Sequence, residues 1–571
     1  MDFSNPKSYF DFKPKLFTCL KNYSKEKFIS DLMAGVIVGI VALPLAIAFG
    51  IASGVNPEKG LITAIIGGFV ISFLGGSSVQ IGGPTGAFIV IVSGIIQQFG
   101  IEGLAIATVI AGIMLMLMGF LKLGTIIRFM PYPIIVGFTS GIAFTIFTLQ
   151  MKDLFGLTME TLPAGFISQW IAYAKAASTV HIWSLVIGLS SILIIIYSPK
   201  RIKKIPGSLI AIIVMTLVVY LLKNQFGITG IETIGDRFQI NGASLPAPAT
   251  IPINMETINL LFPAAFTIAM LGAIESLLSA TVADGITGDK HDSNTELIAQ
   301  GVANIITPIF GGIPATGAIA RTMTNVNNGG KSPIAGIIHA IVLLFILLFL
   351  IPLTKHIPMA CLAGVLIIVA YNMSEWRTFR SLLKNPKSDV VVLLVTFFLT
   401  VIINLTIAIE IGLLIAMLLF MRRVAETSNI SVVTNELNMK SDVEKTADND
   451  KLILPKGVEV YEIEGPFFFG IANKFDESMK QIGKEKPIIR IIRMRKVPFM
   501  DSTGLHNLES LYRLSAKDNI QLVLSGVNDN IKKLLNKSGL ASKIGNNNIC
   551  SNINDALETA NELLSAFNTV K

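Results

Sequence analysis

The chain has 571 residues, of which 52% are apolar and only 15% charged, and a formal net charge of +8. So apolar a composition excludes an ordinary soluble globular protein. The positive charge does not imply a nucleic-acid partner, because the basic residues fall between long apolar runs, as they do in polytopic membrane proteins. Cys19, Cys361 and Cys550 lie too far apart to suggest a disulfide framework or a zinc site, and no cofactor or metal is expected.

Residues 1–28 form a polar segment with Lys7, Lys13, Lys15, Lys21, Lys25 and Lys27, unlike a secretory signal and expected in the cytoplasm. Residues 29–424 then read as a membrane domain. Runs such as Leu32–Gly54, Leu104–Leu121, Ile182–Tyr197 and Ile334–Ile351 are near the roughly 17–25 residues that cross a bilayer. The pattern predicts about fourteen spans as two sets of seven, one over about Ile29–Leu222 and one over about Leu260–Val424. Basic residues follow the even spans: Lys122 and Arg128, then Lys200, Arg201, Lys203 and Lys204, then Lys331, then Arg377, Arg380, Lys384 and Lys387, and finally Arg422 and Arg423. This asymmetry predicts a multi-pass protein of the inner (plasma) membrane with both termini cytoplasmic. Seven spans per set is odd, so the second set enters inverted.

Each set is interrupted once, by Gly83-Pro84-Thr85-Gly86-Ala87 and by Ile313-Pro314-Ala315-Thr316-Gly317-Ala318. Proline lacks an N–H and glycine is a poor helix interior, so neither segment continues a helix. An offset of 231 residues brings Thr85 onto Thr316, and Pro44 of span one onto Glu275 of span eight. Short extended segments, Ser78–Gly82 and Gly311–Ile313, precede the breaks, and half-length helices are expected to start near Gly86 and Gly317. Their free N–H groups and positive dipole ends suit a small anion. Paired discontinuous helices at matching places in two repeats point to a transporter's binding site, whereas simple proline kinks would need no ligand.

Charge inside the membrane is costly and needs a reason. Glu275 has Ser276 beside it and Ser279 one turn on, a set able to hold a coupling proton or sodium ion, or to make a structural hydrogen bond between helices. Arg321, one turn into span ten, would add fixed positive charge to an anion site, extend to cytoplasmic water or make an ion pair. An ionised Glu275 would compete with the substrate for Arg321. Glu410 and His339 read as structural. Asp284, Asp289, His291, Asp292 and Glu296 read as a hydrogen-bonded loop cap after span eight. No catalytic constellation is present, so an enzyme is not expected.

After a polar linker, residues 425–453, strands and helices alternate over 454–567 as a small α/β domain. Strands are predicted at Val458–Glu464, Ile488–Met494 and Gln521–Ser525, and helices at Ile471–Ile482, Gly504–Lys517, near Asn530–Lys537 and over Ile553–Phe567. Asp501 is the expected cap of the helix that follows Val497–Met500.

Ser77–Val90, Gly137–Gly141, Gln150–Leu157, Leu271–Asn294, Gly311–Gly330 and Asn372–Trp376 together resemble the SulP anion permeases, which include solute carrier family 26. The tail, with Asp501-Ser502-Thr503-Gly504, resembles a STAS domain. The resemblance covers nearly the whole chain. It implies an α-helical membrane domain with core and gate parts in a 7+7 inverted repeat, commonly dimeric, that moves its substrate by an elevator-like motion. Carried onto this sequence, the substrate site comprises Leu45, Phe49, Pro84, Thr85, Gly86, Ala87, Phe88, Gly317, Ala318, Ile319, Ala320 and Arg321. Glu275, Ser276 and Ser279 become the candidate coupling-ion residues. Some relatives carry a polar or acidic residue on span one where this chain has Pro44-Leu45-Ala46-Ile47, which shifts the coupling role to Glu275. The implied activity is secondary anion transport, with sulfate as the namesake substrate and bicarbonate or C4-dicarboxylates as alternatives, by proton- or sodium-coupled symport or by exchange. A nucleobase carrier of the same overall fold would need acids on spans eight and ten, and span ten offers Arg321. A reading from a different class is a membrane-anchored regulator that works through its STAS domain. Ser502 occupies the place that is phosphorylated in bacterial anti-sigma antagonists, so it is either a regulatory phosphosite for a cytoplasmic partner or a helix cap.

Overall fold

A computed structural model describes residues 12–569 other than 22, 126–129, 160–161, 164, 202–205, 239–245, 251–254, 404, 428, 434–435, 439–450 and 472–486. Lys7, Arg128, Lys203, Lys204 and most of the helix expected over Ile471–Ile482 lie outside the described residues. The chain divides into two compact units, Met1–Leu414 and Ile415–Lys571.

The first unit is helical: α1 (Lys25–Ala52), α2 (Pro57–Leu74), α3 (Ile89–Phe120), α4 (Tyr132–Leu149), α5 (Ile182–Arg201), α6 (Gly207–Phe226), α7 (Met255–Thr287), α8 (Ser293–Ile309), α9 (Ile319–Asn327), α10 (Ile334–Phe349), α11 (Met359–Met373), α12 (Trp376–Leu382) and α13 (Lys387–Ile402). A last helix, α14 (Leu405–Thr427), runs from the first unit into the second. Among the described residues, nine helices are long and apolar enough to cross a membrane. Helix α3 is two helical stretches joined at Gly100, whose φ of 71° and ψ of −173° interrupt the helix.

The helices pack in two groups. In one, α1, α2 and α10 pack together, and α3 packs on α7 and α8; in the other, α4 packs on α13 and α11, and α11 on α5. Lipid supplies no hydrophobic drive between helices, so close backbone approach through small residues replaces it. A Cβ on Gly60 would lie 2.0 Å from the Ala46 carbonyl oxygen, and one on Gly112 would lie 2.7 Å from that of Gly301. Asp31, buried near the start of α1, accepts hydrogen bonds from the Lys331 and Ser332 N–H groups and from the Tyr23 and Ser332 hydroxyls, fixing α1 to the turn that opens α10.

Between α2 and α3 the chain forms a two-residue strand, β1 (Gly82–Gly83), and between α8 and α9 a second, β2 (Thr316–Gly317). They pair antiparallel, Gly82 opposite Gly317 and Gly83 opposite Thr316. The two breaks seen in the sequence therefore meet, each supplying the backbone partner that the other lacks.

The second unit holds a five-stranded sheet in the order β3 (Asn429–Val433), β6 (Val458–Glu464), β7 (Ile489–Lys496), β8 (Gln521–Ser525), β9 (Ile549–Cys550), with a separate hairpin of β4 (Glu436–Asn438) and β5 (Lys451–Ile453). β6 to β9 are parallel, and β3 lies antiparallel on β6. Residues of opposite parity face opposite sides, as strand geometry requires. Ile492, Met494, Leu522 and Leu524 pack with α15 (Ser502–Lys517), α16 (Asp529–Ser538) and α17 (Leu540–Ile544), while Ile489, Ile491 and Val523 pack with α18 (Ile553–Thr569). The segment expected as a polar linker therefore contributes a strand, Asn429–Val433, and both strands of a hairpin. Their short runs among polar residues hid them, and β3 lies at the sheet edge, where no neighbouring strand imposes a pattern on its outer side.

Candidate functional site

The paired breaks are held by side chains from both repeats. From α9, Thr322 Oγ1 accepts from the Ile81 N–H at 3.1 Å, Asn325 Nδ2 donates to the Val79 carbonyl at 2.8 Å, and Arg321 Nη2 donates to the Pro84 carbonyl at 2.7 Å. Arg321 Nη1 lies 3.4 Å from the Gly82 carbonyl, and the whole side chain is only 2% exposed. Gly83 has φ +148°, and a Cβ there would sit 2.0 Å from Arg321 Nη1, so this position requires glycine for both conformation and space. Thus Arg321 does not extend into water, and its guanidinium is held by backbone carbonyls, with no ion pair to it among the described residues. It spans the first break.

From α7, Ser276 Oγ accepts from the Gly317 N–H at 3.1 Å and meets Thr316 Oγ1 at 2.7 Å, while Ser279 Oγ donates to Thr322 Oγ1 at 3.1 Å. Ser276 and Ser279 are therefore engaged by the second break and by α9. Glu275, about 100° round the helix from Ser276, is instead joined to the first break: Thr85 Oγ1 donates to Glu275 Oε2 at 2.8 Å. The structure brings Thr85, Glu275 and Arg321 together at the first break and engages the two serines at the second break and α9.

Two helical stretches begin at this place. A turn of 3-10 helix, Gly86–Phe88, leads into α3, and α9 starts at Ile319. Neither start carries a side-chain cap from its preceding residue, Thr85 or Ala318. The Phe88 N–H donates to the Thr85 carbonyl at 3.3 Å, and no side-chain cap takes the N–H groups of Gly86, Ala87, Ile319 and Ala320, which can serve another acceptor. Each start follows its strand within a few residues, so both positive dipole ends lie beside the β1–β2 pair. Around them, Leu45, Glu275 and Ile319 are half-buried and Ala320 is exposed, whereas Pro84, Thr85, Gly86, Ala87, Gly317 and Ala318 are buried. Phe49 of α1 and Ile146 of α4 each come within 3.6 Å of the point a Cβ on Gly86 would occupy. Phe88 is fully buried, and its ring tip packs towards Gly272.

Sequence reasoning missed a polar ladder on α8. Glu296, Gln300 and Asn304 follow at i, i+4 and i+8 and are buried. Glu296 accepts from the Gly76 N–H at 2.9 Å, from Gln80 Nε2 at 2.9 Å and from Gln300 Nε2 at 2.8 Å. Asn304 donates to the Ala315 carbonyl at 2.7 Å and accepts from the Ala315 N–H at 2.9 Å. The signal was the spacing of polar residues along one face of an apolar helix. Grouping Glu296 with its loop neighbours concealed it. Those neighbours do form a cap: Asp292 accepts from the Thr295 N–H, Asp284 pairs with the His291 ring, and Asp289 is bound by Lys15 and Ser78. No group of three potential metal ligands occurs among the described residues.

In the tail, Asp501 is the cap that opens α15, accepting from the Gly504 N–H at 2.8 Å, and it also accepts from the Phe469 N–H at 3.1 Å. Ser502 is exposed at the first helical position.

A helical membrane domain built on two discontinuous helices that meet through their breaks, followed by an α/β tail, is the architecture of a multi-pass membrane transporter. Residues 28–396 match the sulfate permease family and residues 453–556 match the STAS domain. The chain belongs to the sulfate permease family. It is 41% identical to the putative sulfate transporter YvdB of Bacillus subtilis over 525 residues, covering 92% of this chain and 96% of that one. It is 30% identical to the bicarbonate transporter BicA of Synechocystis, over 93% of this chain and 94% of the relative. Its fold matches that of the murine Solute Carrier 26 family member A9 anion transporter in the inward-facing state, with a TM-score of 0.86 at 20% identity, covering 98% of this chain and 96% of that one.

Proposed function

We propose that the chain is a secondary active carrier of a small oxyanion, with sulfate the leading substrate, and that Glu275 couples transport to a proton or sodium gradient. The Thr85–Glu275 hydrogen bond carries this reading, because it ties a membrane carboxylate to the N-terminal start of a discontinuous helix. Anion oxygens would accept from the amides that open the two half-helices at Gly86, Ala87 and Ile319–Arg321, with Phe88 lining the site and Leu45 and Phe49 closing it from α1. Arg321 would hold the first break in shape and keep fixed positive charge behind the site. An ionised Glu275 would pull on Arg321 and Thr85 and weaken the field offered to the anion. Protonation or sodium pairing would release that competition, and Ser276 and Ser279 would act by positioning the second break.

The two packing groups of helices supply the core and gate that an elevator-like alternating-access movement needs. Counting the two stretches of α3 separately, with α8, α9 and α13 as short spans and α12 as an interfacial helix, gives the fourteen-span, 7+7 arrangement. Lysines and arginines would then lie on the cytoplasmic face of the inner membrane with both termini, and the protein would work as a homodimer. Ser502, exposed beside a capped helix start, would accept regulation by a cytoplasmic partner. Bicarbonate is the second reading, favoured by the 30% identity to BicA. Gradient-driven uptake of sulfate, bicarbonate and succinate into proteoliposomes separates these substrates. Transport of none of them by correctly inserted protein contradicts the proposal.

A further inference from the structure

Away from the breaks, helices α4, α11, α12 and α13 surround an apolar cavity of about 540 Å³. Phe144, Phe147, Phe379, Phe397 and Phe398 line it together with Tyr371 and Trp376. The rings hold one another: Phe379 and Phe397 pack edge-on with centroids 5.3 Å apart, as do Phe397 and Phe398. Phe144 is 41% exposed and Phe398 52% exposed, so the cavity is a groove open along one side. Its polar groups are already paired. Ser140 Oγ donates to the Ser374 carbonyl at 2.6 Å, and Trp376 Nε1 donates to Tyr371 Oη at 3.1 Å. Such a wall offers a ligand apolar contact and asks for no hydrogen bond.

One end of the groove has a different chemistry. Helix α12 places Trp376 and Phe379 in the wall while Arg377 and Arg380 are exposed. The Arg377 guanidinium sits over the Trp376 ring, 5.5 Å from its centroid. Lys384 and Lys387 follow, so residues 375–387 set four cations against the single carboxylate of Glu375. Exposed tryptophan and tyrosine beside clustered basic residues mark the membrane–water boundary. The groove thus runs from a basic boundary into the apolar layer.

We propose that this groove is a phospholipid site: one acyl chain fills the aromatic groove, and an anionic headgroup rests on Arg377 and Arg380. Charge complementarity selects the headgroup, and the fully paired wall selects the chain. The site bears on transport through α4, which lines the groove with Phe144 and Phe147 and, between them, directs Ile146 towards Gly86. A bound lipid would brace the helix against which the first half-helix start packs.

The test is native mass spectrometry of the full-length protein released from membranes, titrated with phosphatidylglycerol or phosphatidylethanolamine. Wild type should retain phosphatidylglycerol in preference to phosphatidylethanolamine. Each basic residue near an anionic lipid is worth roughly a five-fold preference, so R377Q/R380Q should lose about 25-fold of that selectivity. Filling the groove with A143L/A370F should release both lipids. Arg377 and Arg380 are exposed, so the charge variant decides the matter even if the filled variant does not fold. Unchanged selectivity in R377Q/R380Q overturns the proposal. So does displacement of phosphatidylglycerol by inorganic phosphate, which would assign a free-phosphate site. A disulfide between two copies of F398C that forms with the groove free of lipid overturns it in favour of a second copy of the chain.

Discussion

Glu275→Gln separates coupling from binding. The Thr85 hydroxyl donates to Glu275 Oε2 at 2.8 Å, and a glutamine carbonyl oxygen accepts the same bond, so the link to the first break survives. Exchanging a charge-assisted bond for a neutral one loosens the link to the first break by roughly 0.5–2 kcal/mol, while the neutral side chain, like a protonated Glu275, no longer competes with the anion for Arg321, so anion binding should persist. The loss of coupling is of another kind. A gradient of one pH unit is worth about 1.4 kcal/mol per proton, enough for roughly tenfold accumulation of the anion in a one-proton symporter. A tenfold sodium gradient gives the same. E275Q should therefore equilibrate labelled anion across a proteoliposome membrane and exchange it, yet accumulate it no more than about onefold under either gradient. Tenfold, gradient-dependent accumulation at normal flux in E275Q would refute the coupling role of this carboxylate.

Further outcomes follow from the same contacts. Arg321→Met removes the donor that reaches the Pro84 carbonyl at 2.7 Å; the buried acceptor left behind costs roughly 1–3 kcal/mol, so anion KM should rise about tenfold or more, with partial recovery in Arg321→Lys, measured by initial uptake rates. Asn304→Leu breaks both bonds to Ala315 and should lower thermal stability by roughly 2–4 kcal/mol, followed by unfolding of the purified transporter. Partial burial pushes the Asp289 carboxyl up, but hydrogen bonds from Ser78 and Lys15 outweigh it and hold its pKa below the usual carboxylate range. Its stabilising effect is therefore present above about pH 4 and lost as pH falls through the depressed value, so the small stability gap between wild type and Asp289→Asn should close in acid. Asp501→Ala should cost the tail about 0.5–2 kcal/mol by uncapping α15, seen as an earlier loss of tail structure on heating.

The breaks were legible because proline and glycine act locally, wherever the chain later goes. Glu275 was legible because one carboxylate in an apolar span needs a reason. The antiparallel pairing of Gly82 with Gly317 was not, since two glycines bear no register signal and their meeting depends on helices far away in sequence. For Ser276, sequence proximity to Glu275 misled, because adjacent helical residues diverge by about 100° and its hydroxyl serves Gly317. Arg321 could be placed in the span but not aimed, as its long side chain reaches several backbone targets, and in the fold it takes the Pro84 carbonyl across a glycine that leaves it room. Glu296 was hidden by the polar loop before it, and Asn429–Val433 by lying at a sheet edge.

The most direct test of the central claim is uptake of labelled sulfate, bicarbonate and succinate into proteoliposomes holding the full-length protein, under an imposed proton or sodium gradient. The account predicts accumulation of one oxyanion, driven by one of the two gradients and abolished in E275Q. Uptake of none of them, or uptake indifferent to both gradients, would contradict it.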